Sequence, residues 1–450
     1  MLQDLLSSLR SIIASRLKGD YELVNVSSIE ALNGSLLRFS QSNSGFSELV
    51  FTTRETYILL ISLAPHIQPN FYTSILQEFM PKGGEFPEFG GVKGKNHRGI
   101  LPTGETAQFI LAGDDHESRM KVAAMLRDDS PLVKEGILSL QSVPEGEPQM
   151  SGKLIMAQDF VDYFLTGERS KPKFSPEFPA REITTDLEWE DLVLTDDVKE
   201  QIEELSIWIA HNDVLMNNWK MSKKLKPGYR ALFHGASGTG KTMTATLLGK
   251  YTAKPVYRVD LSTVVSKYIG ETEKNLERLF QKARNRDWIL FFDEADAIFG
   301  KRTGVKDAHD RYANQEVSYL LQRVEDFEGL VILSSNFKAN IDDAFLRRFN
   351  AIIKFPFPNK NEREKIAKKA FPGHVKFEKK TNIPALIGHY ELSGGNIINV
   401  VQYACLKSIS KNGSARIFRE DVLKGIKREV EKEGKVFSKM IGKNEPKPIS

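Results

Sequence analysis

From residue 231 to residue 357, five short apolar runs (ALFHG, VYRVDL, WILFFD, LVILSS and AIIKFPF) alternate with stretches of helical pattern. Such alternation predicts a parallel sheet covered by helices on both faces, because each parallel step needs a long return segment. The first run is followed at once by GASGTGKT, residues 235 to 242, and then by the helical MTATLLGKY. That is G-x-x-x-x-G-K-[ST] in the strand–loop–helix setting that gives the pattern a physical meaning. Gly235, Gly238 and Gly240 let the backbone wrap closely, so that N–H groups running through Ala236, Ser237 and Thr239 to the helix start at Met243 would meet a polyphosphate. Lys241 adds a positive charge at the β and γ phosphates, and the Thr242 hydroxyl would ligate Mg²⁺.

WILFFDEAD ends its apolar run in Asp293 and Glu294. Acids at the carboxyl end of a buried strand are costly without a cation nearby, and this edge of an open α/β sheet is where ligands bind. Asp293 is expected to hold the Mg²⁺ shell, and Glu294 to orient and deprotonate an attacking water. LVILSSN ends in Asn336, a candidate to hold that water or the terminal phosphate, although an asparagine at a strand end is also a common turn former. DDAFLRRFN supplies Arg347 and Arg348, which read either as a solvated face or as transition-state charge stabilisers offered to a neighbouring subunit.

At 450 residues the chain calls for two or three domains. Residues 1–167 mix helix and strand patterns. They open on an amphipathic stripe (Leu2, Leu5, Leu6, Leu9, Ile12, Ile13, Leu17) in which Asp4 and Arg10 break any signal-peptide core. Within 100–167, a helix in DDHESRMKVAAMLRDD followed by strands in GILSLQSV and GKLIMAQ suggests a winged-helix-like module. Residues 168–187 read as a proline-rich, charged linker, 188–358 as the nucleotide-binding block, and 359–450 as a small helical lid with a charged tail. A net charge of +4, from 63 basic and 59 acidic residues, argues against a dedicated nucleic-acid or membrane-surface binder. GGVKGKNHR is the local basic cluster nominated for a nucleic-acid contact. The lone Cys405, in the helical NVVQYACLKSIS, reads as a small core residue. No apolar run approaches the ~20 residues of a membrane span, so a cytoplasmic protein is expected.

Taken in order, these pieces resemble the AAA family of ATPases over about residues 185 to 430. GASGTGKT is similar to Walker A, ILFFDEAD to Walker B, and Asn336 falls at the sensor 1 position. Arg347 and Arg348 match paired arginine fingers, which implies a homo-oligomeric ring, usually a hexamer, with active sites between subunits. The resemblance also implies ATP and Mg²⁺ as cofactors. Gly394, Gly395 and Asn396 in LSGGNIINVV resemble the lid segment near the nucleotide, without a sensor 2 arginine. WEDLVLTDDVKEQIEEL resembles the segment entering the module, whose backbone at Leu192 and Val193 would border the adenine.

KYIGETEK, residues 267 to 274, is similar to pore loop 1 of katanin, spastin and related remodellers. Lys267, Tyr268 and Ile269 match the trio that faces the channel and grips a polypeptide; the alternative is that Tyr268 folds back onto the following helix. GKRTGVKDAHDRYANQEVSYLL lies where pore loop 2 belongs, with Lys301, Arg302, Lys306, His309 and Arg311 available to line the channel. Ala236 and Ser237 stand where the family usually has two prolines, and neither position needs proline for phosphate contact. One module and no HExxH exclude a double ring and a metalloprotease. PEFGGVKGKNHRGILPTGETAQFILAGDD, with the core, looks like bacterial stand-alone AAA proteins, including those that accompany contractile injection systems. The expected activity is ATP-driven remodelling of a protein substrate; a nucleotide-switched scaffold or loader and a nucleic-acid-handling ATPase are the alternatives.

Overall fold

The computed structural model describes residues 2–19, 51–81, 86–167, 171–172, 174–175, 178–264, 271–283, 286–295, 308–336, 346–379, 381–412 and 415–437. The chain divides into two compact units, Met1–Lys173 and Phe174–Ser450. Lys267, Tyr268 and Ile269 lie outside the described residues, as do the second channel loop at 301–307 and the side chains of His309 and Arg311.

In the first unit, helix α1 (Leu2–Leu17) buries Leu5, Leu6, Leu9, Ile12 and Ile13 of the stripe that its periodicity predicts, with Leu17 partly buried. It packs into one core with α2 (Thr53–Ile67) and α3 (Phe71–Phe79). A hairpin of β1 (Val92–Lys93) and β2 (Ile100–Leu101) leads to α4 (Gly104–Ala112) and α5 (His116–Ala124). After the short α6 (Pro131–Lys134), β3 (Leu138–Leu140) pairs antiparallel with β4 (Leu154–Met156), and α7 (Gln158–Thr166) closes the unit. A bridge between Thr103 and Lys153 brings the segment before α4 alongside β4.

The second unit is built on a six-stranded sheet. Its strands are β5 (Ala180–Ile183), β6 (Tyr229–His234), β7 (Val256–Val259), β8 (Ile289–Phe292), β9 (Leu330–Ser335) and β10 (Ala351–Lys354), in the order β10-β6-β9-β8-β7-β5. The five expected strands are parallel. The sixth is a correction: β5 comes from the span read as linker and pairs antiparallel with β7, Ala180 opposite Val259 and Ile183 opposite Val256. It closes an edge that the parallel strands leave open.

The sheet has two buried faces. On one, Phe233, Val256, Phe291 and Ile332 pack with Val198, Ile202 and Leu205 of α8 (Asp196–Asp213) and with Ala245 and Leu248 of α9 (Lys241–Thr252). On the other, Leu232, Tyr257, Phe292 and Leu333 pack with Leu276 and Leu279 of α11 (Glu271–Ala283) and Leu320 and Val324 of α12 (Ala308–Asp326). Between β7 and α11 the chain also makes one short helical turn, α10 (Leu261–Val264). Burial on both faces explains why these strands read as continuous apolar runs rather than as alternating ones. Ile332 in the central β9 is fully buried. Ile332→Ala is expected to cost about 2–5 kcal/mol of the second unit's stability, read from denaturant unfolding followed by tryptophan fluorescence.

The lid comprises α13 (Lys360–Ala370), α14 (Ile383–Gly388), α15 (Gly394–Asn412) and α16 (Arg419–Lys432) around its own core. It is not purely helical, because β11 (Lys376–Phe377) and β12 (Arg416–Ile417) form a small parallel pair. Cys405 on α15 is half-buried against this core, where burial raises its thiol pKa. Among the described residues, no helix is long and apolar enough to cross a membrane.

Candidate functional site

At the carboxyl ends of the parallel strands, the second unit encloses a cavity of about 670 Å³. Ser237, Gly238, Thr239, Gly240, Lys241, Thr242 and Met243 form the floor, with Asp293, Glu294 and Asn336 at the strand ends; Leu192 and Val193 form one side, and Gly394, Gly395 and Ile398 of the lid the other. Gly235 and Ala236 are not in the wall. Their carbonyls instead accept hydrogen bonds from Lys241 Nζ at 2.6 and 3.0 Å.

The loop geometry explains its glycines. Gly238 has φ +76°, and a Cβ there would come within 2.7 Å of Ser393 Oγ and 3.0 Å of the Gly395 nitrogen. Gly240 has φ +101°, and a Cβ would approach Leu192 Cδ1 to 2.9 Å. Both positions combine a left-handed backbone with close approach by a neighbouring wall, so only glycine fits without displacement. The Gly395 N–H donates to Gly238 O at 3.2 Å, so the lid rests directly on the phosphate-type loop.

Lys241 is buried and also donates to Asn336 Oδ1 at 3.1 Å, which brings the loop lysine and the strand-end asparagine together. Asp293 and Glu294 follow β8 in a sharp turn: Asp293 Oδ1 accepts from the Glu294 N–H at 3.1 Å, and the Ala295 N–H donates to Ser334 O at 2.8 Å. Glu294 has φ +53°. A non-glycine residue in the left-handed region costs on the order of 1 kcal/mol and is concentrated at functional sites. Asp293 Oδ2 is also 3.0 Å from Arg258 Nη2.

The segment carrying Leu192 and Val193 is pinned from both sides. Glu188 accepts from Lys250 Nζ at 2.8 Å and from the Tyr251 hydroxyl, and these hydrogen bonds lower its carboxyl pKa. From the lid, Lys369 Nζ donates to Glu190 O. Sequence reasoning missed Lys369, Ile398, Phe355 and Pro356 as cavity residues. Only the tertiary fold, in which α13 and α15 return to the sheet edge, reveals them; the FPFP run after β10 was a local signal for Phe355 and Pro356.

Arg347 and Arg348 do not line this cavity. They precede β10, near the opposite ends of the strands, where Asn350 holds the segment: its N–H donates to Arg230 O at 2.8 Å and its Oδ1 accepts from Arg230 Nε at 3.1 Å. Arg348 pairs with Glu325 at 2.5 Å, and Lys226 reaches the same carboxylate at 2.9 Å. Burial alone would raise the Glu325 pKa, yet the Lys226 hydrogen bond and the Arg348 charge hold it below the ordinary value. Arg347 is exposed and makes no ion pair among the described residues.

Residues 231–357, which run from β6 to just past β10, match the model of the family described as "ATPase family associated with various cellular activities (AAA)". This segment is similar to AAA ATPase domains. Among curated proteins the chain is 31% identical over 226 residues to a 26S proteasome regulatory subunit 6B homolog of Dictyostelium discoideum, covering 48% of this chain and 55% of that protein. It is 34% identical over 165 residues to proteasome-activating nucleotidase 2 of Halobacterium salinarum, covering 35% and 40%. An uncharacterized AAA family ATPase of Sinorhizobium fredii is 32% identical over 168 residues, covering 37% and 50%. The chain thus spans about half the length of the curated relatives it matches. The likeness supports the AAA domain and its α/β core, with the cavity at the domain's strand ends.

Proposed function

We propose that this chain is a Mg²⁺-dependent ATPase that works as a homo-oligomeric ring, a hexamer in the family's usual form, and remodels a protein substrate. The observation that carries the reading is the single cavity wall in which a glycine-cradled loop, Lys241, a strand-end Asp–Glu pair and Asn336 converge under a lid. The loop N–H groups and the start of α9 bind the phosphates, and Lys241 exchanges its contacts with Gly235 O, Ala236 O and Asn336 Oδ1 for phosphate oxygens. Thr242 and Asp293 both border the cavity, a sparse oxygen set that suits an ion held mainly by phosphates and water. Mg²⁺, when bound there, neutralises charge on the β and γ oxygens. Glu294 accepts the proton of the attacking water, and Asn336 orients the γ-phosphate or that water. Leu192 and Val193 border the adenine, and a neighbouring subunit's Arg347 and Arg348 complete the site.

Lys267, Tyr268 and Ile269 are proposed to grip the substrate in the ring's channel, and the first unit, with its helix pair and β3–β4 hairpin in a winged-helix-like order, to select it. Large apolar side chains repeated around a ring make contacts that ignore sequence register. The stretch from Pro87 to Asp115 and the core together look like bacterial stand-alone AAA proteins, including those that accompany contractile injection systems, and on that resemblance a component of such a particle is the first substrate to try.

Phosphate release, with and without Mg²⁺, together with loss of fluorescence from a tagged folded reporter tests the whole reading. Tyr268→Ala is expected to leave assembly and basal hydrolysis intact while abolishing reporter unfolding. Undiminished unfolding would make the aromatic a structural residue. Slow, substrate-insensitive hydrolysis with a long-lived ATP complex would favour a nucleotide-switched scaffold instead.

A further inference from the structure

Arg258 was not among the site residues expected from the sequence, and it touches the one carboxylate to which the metal role falls. It occupies the third position of β7, in Cα register with Phe291 of β8. Side chains two apart on a strand share a face, so Arg258 projects on the same side as Val256 and its register partner Phe291, and the 3.0 Å contact brings to it the carboxylate of Asp293, just past the end of β8. That is the side on which Val256 and Phe291 pack with α9, the helix that begins at Lys241 and Thr242. The guanidinium therefore stands on the α9 side of the sheet, the side covered by the helix that Lys241 and Thr242 open.

Both oxygens of Asp293 are engaged, Oδ1 by the Glu294 N–H at 3.1 Å and Oδ2 by Arg258 at 3.0 Å. On its other side, Arg258 lies in register with Arg181 of β5. Like charges opposite one another on paired strands repel, so Arg258 is biased toward Asp293. The Asp293 side chain is 19% exposed and that of Arg258 36%, so water screens the pair in part, from the arginine side.

Resting on the nucleotide-site reading above, we propose that Arg258 is a counter-ion held on Asp293 that Mg²⁺ must displace. It makes the site tolerant of metal-free nucleotide and raises the metal requirement for completing it. The electrostatics have a definite sign. With the pair intact, Asp293 presents little negative charge to an incoming polyphosphate. Without Arg258, the bare carboxylate repels metal-free nucleotide and attracts the metal complex more strongly.

The test is the ratio of dissociation constants for a fluorescent adenine nucleotide, N-methylanthraniloyl-ADP, measured in EDTA and in excess MgCl₂. Arg258→Gln is expected to widen this ratio about tenfold, the size of one charge-assisted hydrogen bond. Arg258→Lys keeps the charge and should leave the ratio near that of the unaltered protein. Asp293→Asn should collapse the ratio, with no further change when Arg258→Gln is added. An unchanged ratio in Arg258→Gln, with both constants shifting together, would mean that the arginine is merely structural. A narrowed ratio would mean that it orients Asp293 for the metal; either result overturns the proposal. Should Arg258→Gln not fold, the Lys variant and the Asp293→Asn ratio still decide: a lysine ratio far from that of the unaltered protein, or an asparagine ratio left unchanged, overturns it. If the unaltered protein binds the probe under neither condition, the nucleotide-site reading itself fails, and this inference with it.

Discussion

Glu294→Gln is expected to cut ATP turnover by about 10²–10⁴-fold, the range for loss of a general base, while nucleotide affinity stays essentially unchanged. The substitution keeps the side chain's shape and removes only its ability to take a proton. The backbone at 294, with φ +53°, and the Asp293–Glu294 turn are therefore retained. Glu294→Gly separates chemistry from strain. Glycine relieves the left-handed conformation, so this variant should melt no lower than the unaltered protein and yet be as inactive as the glutamine variant. Phosphate release under single-turnover conditions, paired with nucleotide binding and thermal melts, gives all three quantities. Near-normal hydrolysis by Glu294→Gln would remove the proton-accepting role.

What sequence could and could not reveal follows from the range of the interactions involved. The Gly235–Thr242 loop and the Asp293–Glu294 pair were legible because their chemistry is local: the glycines, the lysine and the acids are required within a few residues of a strand end. The five parallel strands were legible for a related reason, since burial on both faces leaves uninterrupted apolar runs. Strand β5 was not, because AREI is short and half polar; its strand character comes from the open edge of β7, which no local pattern announces. Lys369 and Ile398 reach the cavity only through the way the lid folds back. Arg258 and Asp293 meet through strand register, across a separation that periodicity cannot bridge. Lys267, Tyr268 and Ile269 remain an expectation of resemblance, since the described residues stop on either side of them.

Arg347→Ala is expected to lower turnover by about 10³–10⁵-fold, as loss of an arginine that completes a neighbour's site would, without weakening nucleotide binding to the subunit that carries it. The two arginines should not be equivalent. Arg348 is tied to Glu325, a carboxylate that also holds Lys226, and has to leave that pair before it can reach another subunit. Arg347 is exposed and forms no such pair among the described residues, so its removal should have the larger effect. Mixing supplies the decisive measurement. Arg347→Ala and Glu294→Gln subunits are each expected to be inactive alone. In a mixed ring, however, some interfaces join an intact Glu294 on one subunit to an intact Arg347 on the next, and hydrolysis should return in proportion to their number. If mixing restores nothing although the two variants co-assemble, the arginine acts within its own subunit, and the catalytic site does not span the interface.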